Sequence, residues 1–197
     1  MLQNSGTISL KVIQENIRNC QSCELYKSMP FQPVCGVGPS HASICVVGEA
    51  PGEDESIIEE PFVGHCGRLL DRLLIESGLD RNRLFICNTV NCRPTIGKKN
   101  RPPSKSEIES CKHWAFEQIE IVKPKLVFTL GKISTYSILK LKSTIKLHDM
   151  IGLEYKADIN GHICTVIPNL HPSYLLQYGA KKVDQARDIF KKGLSYV

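Results

Sequence analysis

SICVVGEAPGEDESIIEEPFVGHCG, residues 43 to 67, is the stretch from which the fold can be read. Its apolar run Ile44 to Val47 stops at Gly48, and two further breakers, Pro51 and Gly52, follow closely. Such a run, bounded by turn residues, predicts a strand buried on both faces that delivers a loop at its carboxyl end. The loop carries six carboxylates between Glu49 and Glu60 and no basic residue, then a lone aromatic, Phe62, between Pro61 and Gly64. A glycine-rich turn after a strand commonly cradles phosphate. Here no lysine stands ready and the acidic surround repels an anion, so a neutral ligand, or one that develops positive charge, suits the loop better.

Further runs of the same kind follow. Leu84 to Cys87 ends at Asn88, Leu126 to Leu130 ends at Gly131-Lys132, and Ile163 to Ile167 leads into Pro168-Asn169-Leu170-His171-Pro172-Ser173. Helical spacing lies between them. Leu69, Leu70, Leu73 and Leu74 recur on one face with Gly78 as a C-terminal cap, and Glu107 to Val122 forms a helix with capping-box spacing from Ser104 to Glu107. A helix is also expected near Ser134 to Leu141, another at the basic C-terminus, and another over the N-terminal positions Leu10, Val12, Ile13 and Ile17. Residues 142 to 161 show no clear period. Strands alternating with helices predict a three-layer α/β/α sandwich around a central four-stranded parallel sheet, one domain over residues 1 to 197. In such sheets the working residues sit at the carboxyl ends of strands. That rule gathers Gly48 to Pro51 (with Glu49 and Ala50), Asn88, Gly131-Lys132 and His171.

With 197 residues, 42% hydrophobic and 23% charged, the chain can bury a sizeable core without staples. No apolar run approaches the ~20 residues of a membrane helix, and residues 1 to 10 lack a basic start followed by an apolar block. A cytoplasmic monomer, away from membranes, is expected. The net charge of +5 is concentrated: Arg93, Lys98, Lys99, Arg101, Lys105 and Lys112 fall within one stretch, and Lys181, Lys182, Arg187, Lys191 and Lys192 lie in the tail. A basic face opposite an acidic pocket points toward nucleic acid. Of nine cysteines, Cys45, Cys87 and Cys164 lie in apolar runs and read as core. Cys20 and Cys23, spaced C-x2-C, together with Cys92 and Cys111 do not. These four can fence a four-thiolate site for an iron–sulfur cluster or for tetrahedral zinc, which residue types alone do not separate.

The motifs GEAPGEDE (48 to 55), PFVG (61 to 64), Asn88 before NCRP (91 to 94), LGK (130 to 132) and HPS (171 to 173) resemble, in that order, the family 4 uracil-DNA glycosylases. The resemblance extends from Cys20 to about Gln177. It implies a monofunctional glycosylase that flips uracil out of single- or double-stranded DNA, hydrolyses its N-glycosidic bond and leaves an abasic site. By the same resemblance Phe62 stacks on the base, Asn88 reads its edge, His171 donates toward O2, the Glu49-Ala50-Pro51 turn presses on base and sugar, and Glu55 stands where a thymine methyl would clash. Cys20, Cys23, Cys92 and Cys111 would hold a [4Fe-4S] cluster, zinc being the other occupant that the residue types permit. Arg93, Lys98, Lys99 and Arg101 are expected at phosphates, with Ser173 and Tyr174 at the DNA beside His171. The chain departs from the family pattern at Ile96 to Asn100, which reads as an insertion, at Asn91 and Gln177, where many members carry a base, and at Ala50. That last position is where another glycosylase family has its water-activating Asp, which leaves Glu49 and Glu55 as candidates for that role.

The chemistry is consistent with these residue types. Breaking a pyrimidine N-glycosidic bond leaves positive charge on the sugar and negative charge on the base, so carboxylates near the sugar and neutral donors at the base oxygen form the useful pair. A stacked base is out of reach until it is flipped, and an aromatic plus an amide offer stacking and edge reading. Tyr174, Leu175 and Leu176 are candidates for an apolar wedge filling the gap in the stack. Another class of reading keeps the fold and cluster site as a non-catalytic DNA-binding or damage-sensing module; a zinc-dependent nucleotide hydrolase is a third.

Overall fold

A computed structural model describes residues 9–27, 32–142 and 144–197. In chain order the elements are α1 (Leu10–Arg18), β1 (Ile44–Gly48), α2 (Glu53–Ile58), α3 (His65–Glu76), β2 (Phe85–Asn88), β3 (Thr95–Ile96), β4 (Lys99–Asn100), α4 (Lys105–Val122), β5 (Leu126–Leu130), α5 (Lys132–Ile138), β6 (Tyr155–Ile159), β7 (His162–Asn169), α6 (Pro172–Tyr178) and α7 (Ala180–Lys191). The main sheet has the order β2-β1-β5-β7-β6. The first four of these strands are parallel, as the apolar runs predict; β6 pairs antiparallel with β7 and makes a fifth. The expected four-stranded sheet is therefore extended by an antiparallel edge.

Alternation along the strands builds the layers. Ile44 and Val46 face one core with Phe128, Leu73 of α3, Leu175 of α6 and Phe190 of α7. Cys45 and Val47 face the other, with Cys87, Val127, Cys164 and the α4 residues Phe116, Ile119 and Val122. The three strand cysteines are thus core residues, as their setting predicts. The β6 strand escapes an apolar-run reading because only one of its faces is covered: Lys156 and Asp158 point outward. Its signal lies in the following turn, Asn160-Gly161, both with positive φ (52° and 86°), the dipeptide that suits a two-residue hairpin.

Helix ends follow local chemistry. Ser104 Oγ accepts from the Glu107 N–H at 3.3 Å while Glu107 returns a carboxylate to the Ser104 N–H at 2.7 Å, the expected capping box. Gly78, φ +80°, closes α3 as expected. α2 was not expected from sequence; it is one short acidic helix inside the loop that opens at Gly48. Part of the Pro/Gly-rich entry to β1, residues 28 to 31, lies outside the described residues. Among the described residues no helix is long and apolar enough to cross a membrane.

Candidate active site

Gly48 ends β1 directly beside Asn88, which ends β2. The loop after Gly48 stays bound to the continuation of β2, since the Thr89 N–H donates to the Gly48 carbonyl and the Val90 N–H to the Glu49 carbonyl, both at 3.0 Å. Beyond these strand ends lies a cavity of about 520 Å³. Gly131 and Lys132, gathered by the strand-end rule, line a separate pocket on the other side of His171, whereas Glu49, Ala50, Pro51 and Glu55 from the acidic loop, Phe62, Asn88 and His171 all line this cavity. Pro94, Asn100, Arg101 and Pro102 form a further wall, and Cys66 and Gln177 complete it. Sequence reasoning missed Asn100 and Cys66. Nothing in their local sequence signals a pocket; Asn100 arrives through a hairpin anchored from elsewhere.

Asn88 is 2% exposed, and its Oδ1 is, among the described residues, the one buried side-chain polar atom without a hydrogen-bond partner. A buried unpaired carbonyl costs about 1–3 kcal/mol. The space around it is tightly set: a Cβ on Gly48 would collide with the Asn88 oxygen and come within 2.5 Å of Phe62 Cζ. Phe62 is 6% exposed and takes φ 56°, a left-handed conformation rare for a large side chain. Its carbonyl lies where a Cβ on Gly67 would sit, so the bare glycine of α3 lets the Phe62 backbone approach. Such strain persists where surrounding contacts over-determine it, and it concentrates at functional sites. The Phe62 and His171 rings lie 6.2 Å apart, centroid to centroid, inclined at 43°.

His171 caps α6. Its Nδ1 accepts from the Ser173 N–H at 3.2 Å and lies 2.8 Å from Ser173 Oγ. A backbone amide can only donate, so Nδ1 carries no proton and the neutral ring holds its hydrogen on Nε2. Burial lowers the imidazole pKa to about 4, which keeps the ring neutral at physiological pH. Ser173, expected at the DNA, is exposed and lines the pocket, and it orients His171 through both its amide and its hydroxyl.

The two acidic candidates differ. Glu55 is 8% exposed; its Oε2 accepts from the Gly52 N–H at 3.0 Å and its Oε1 from the Gly64 N–H at 2.8 Å. It clasps the two ends of the acidic loop. Burial pushes the Glu49 carboxyl up from the ordinary value.

The basic stretch also divides. Arg93, expected at phosphate, is 8% exposed: its Nε donates to Asn100 Oδ1 at 2.6 Å, Nη2 to the Lys98 carbonyl at 3.1 Å, and Nη1 lies 3.4 Å from Glu53 Oε1. Arg101 forms a two-pronged pair with Glu107 at 2.6 and 2.7 Å and donates from Nε to the Thr95 carbonyl at 3.2 Å. Both guanidiniums hydrogen-bond within the protein: Arg93 is buried and turned away from solvent, whereas Arg101 remains part-exposed at the pocket wall. Lys98 and Lys99 are exposed, as are Tyr174 and Leu176, whereas Leu175 is 2% exposed and packs in the core, so it cannot serve as the wedge. Asn91, one of the departures from the family pattern, is also buried, with its side-chain amide donating to the Val34 carbonyl at 2.9 Å.

Cys20, Cys23, Cys92 and Cys111 line one narrow cavity. The Trp114 Nε1–H lies 3.4 Å from Cys20 Sγ and the Asn91 N–H 3.3 Å from Cys111 Sγ. Burial pushes the Cys92 and Cys111 thiols up to about 12. Among the described residues no three or more His, Cys, Asp or Glu side chains converge as a single metal ion requires.

A pocket at the carboxyl ends of a parallel sheet, with an aromatic wall and an unpaired buried amide oxygen, suits a planar heterocycle. A sequence model of the uracil DNA glycosylase superfamily matches residues 35–194. The chain is 40% identical over 172 residues to the type-4 uracil-DNA glycosylase of Saccharolobus solfataricus, covering 85% of this chain and 77% of that protein. It is 34% identical to the type-4 uracil-DNA glycosylase of Pyrobaculum aerophilum, covering 92% of each, and 34% identical to that of Thermotoga maritima, covering 93% of this chain and 95% of the other. The chain belongs to the uracil-DNA glycosylase superfamily and, within it, to the type-4 enzymes.

Proposed function

We propose that this protein binds uracil flipped out of DNA and hydrolyses its N-glycosidic bond, leaving an abasic site. The observation that carries the reading is the unpaired Asn88 amide oxygen at the base of the pocket. Uracil offers an N3–H donor beside the O4 acceptor, and the Asn88 amide meets both, Oδ1 accepting and Nδ2 donating. Cytosine presents the reverse pattern and leaves both amide ends unpaired. Phe62 supplies the stacking face, and Glu55, by clasping Gly52 and Gly64, holds the loop against the edge of the ring.

As the N1–C1′ bond breaks, its electron pair moves onto uracil and the sugar becomes cationic. The His171 Nε2–H donates to O2 where that negative charge develops, without giving up its proton, a contribution worth about 3 kcal/mol for a well-placed donor. Glu49 faces the cationic sugar. A water adding to C1′ passes its proton to the Glu49 carboxylate, whose pKa, raised by burial, makes it a better acceptor.

The four-cysteine cavity fits a [4Fe-4S] cluster by its donor set: four sulfurs, with N–H groups of Trp114 and Asn91 directed at two of them. When bound, the cluster supplies cross-linking and no step of the reaction. Its ligands would tie the end of α1 to both feet of the stretch between Cys92 and Cys111.

The test is incubation with single- and double-stranded oligonucleotides carrying one uracil, followed by alkali. Strand scission confined to the uracil is expected; intact oligonucleotide from a cluster-loaded preparation would overturn the reading.

A further inference from the structure

The stretch Ile96 to Asn100, which reads as an insertion by resemblance, forms with Thr95 an antiparallel hairpin, Thr95 opposite Asn100 and Ile96 opposite Lys99. Gly97, φ +58°, takes the first turn position, where a glycine is favoured. Two-residue strands have no stability of their own. This pair is held from below: Arg93 bonds Asn100 and the Lys98 carbonyl, and Arg101 bonds the Thr95 carbonyl while paired to Glu107. Two guanidiniums are thus committed to fixing six residues at the mouth of the uracil pocket, which Asn100 and Arg101 line.

Residues directly opposite on paired strands share a face, and their neighbours share the other. Asn100 and Thr95 turn toward Arg93 and the pocket wall. Ile96 and Lys99 therefore occupy the opposite face, where Ile96 is 73% exposed. A single exposed isoleucine needs no explanation on most surfaces. This one stands at the tip of a clamped projection, beside two exposed lysines and continuous with a pocket that receives a base pulled from a stack.

We propose that the Thr95–Asn100 hairpin is a strand-parting wedge: Ile96 enters the duplex next to the flipped nucleotide, and Lys98 and Lys99 hold the adjoining phosphates. The assignment rests on the uracil reading above. An apolar side chain inserted between base steps offsets part of the lost stacking, and a rigid mount is needed for it to do so. The hairpin approaches from the acidic-loop side of the pocket, whereas Tyr174 and Leu176 stand on α6 beyond His171.

Two measurements separate this from the uracil reading. Excision from single-stranded oligonucleotide by the wild-type protein tests the reading itself. The wedge is tested by the ratio of duplex to single-strand kcat/KM, expected to fall about 10-fold or more in Ile96→Ala, since unstacking then goes uncompensated. A direct readout independent of turnover is 2-aminopurine placed beside an abasic analogue in a duplex. Its fluorescence should rise on binding wild type and rise much less with Ile96→Ala at saturation. Lys98→Ala with Lys99→Ala should lower the slope of log affinity on log salt by about 1.8. Equal duplex-to-single-strand ratios and equal fluorescence in wild type and Ile96→Ala would overturn the wedge even if uracil is excised.

Discussion

Replacing Asn88 with leucine tests the site through stability and activity together. The two side chains share their branching and their number of heavy atoms, and Asn88 is 2% exposed with its Oδ1 unpaired. Removing an unsatisfied buried carbonyl recovers part of its cost of about 1–3 kcal/mol. A methyl group is bulkier than the oxygen it replaces, and Gly48 and Phe62 leave little slack. The expected net gain is thus about 1 kcal/mol, or roughly 2–4 °C in Tm for a chain of this length. Catalysis should move the other way. Two edge bonds to uracil disappear and two polar groups of the base are left unpaired, at about 1–3 kcal/mol each, so kcat/KM should fall by about 30-fold to 25,000-fold. Thermal or urea denaturation supplies one number and excision from a uracil oligonucleotide the other. A variant that is less stable than wild type yet excises uracil within about 3-fold of it would refute both the cost assigned to the amide and its role in reading the base.

Other substitutions probe the remaining walls. Gly48→Ala places a methyl against Asn88 and Phe62, and should cost about 1–3 kcal/mol of stability while lowering base affinity; a crystal structure with both side chains unmoved would contradict this. Asn88→Asp should lose uracil selectivity or activity altogether, measured as the uracil-to-cytosine excision ratio. The His171 ring, with its pKa held at about 4 by burial, should give kcat/KM no inflection near 6.5; an acid limb is instead set by Glu49, above the ordinary carboxylate value, and should flatten in Glu49→Gln. The same depression fixes the sign for folding: the unfolded imidazole takes a proton first, so His171 contributes a loss of stability as pH falls from about 6.5 toward 4, visible as a smaller drop in His171→Asn than in wild type. Cys92→Ser should bleach any visible absorbance of the purified protein and reduce solubility before it changes single-strand excision.

Much of this arrangement was legible in the sequence because the central strands are buried on both faces. Continuous apolar runs marked β1, β2, β5 and β7, and the strand-end rule then assembled Gly48, Asn88 and His171 from distant stretches. β6 was hidden because Lys156 and Asp158 face outward, leaving an alternation too weak to stand against its surroundings, although Asn160-Gly161 announced the turn. The β3–β4 hairpin was hidden for another reason: it is stabilised by Arg93 and Arg101 from outside itself, and no propensity within six residues reports that. Those same arginines were read as phosphate ligands. A sequence shows that a charge is present; only the fold shows that Glu107, recognised as a helix cap, also captures Arg101. Likewise only the fold shows that Ser173, while lining the pocket, also orients His171.

The two arginine clamps also make the hairpin separable. Its six residues enter and leave between Pro94 and Arg101, whose backbones are joined by a hydrogen bond from the Arg101 N–H to the Pro94 carbonyl at 3.1 Å. The excursion is thus closed off at its root, and of what lies beyond that link only Asn100 lines the pocket, so residues 95 to 99 can change in composition without touching Asn88, Phe62 or His171. Recognition of the base and handling of the surrounding strand are thereby divided between parts of the molecule that can vary independently, so preference among DNA structures can drift while the identity of the excised base stays fixed.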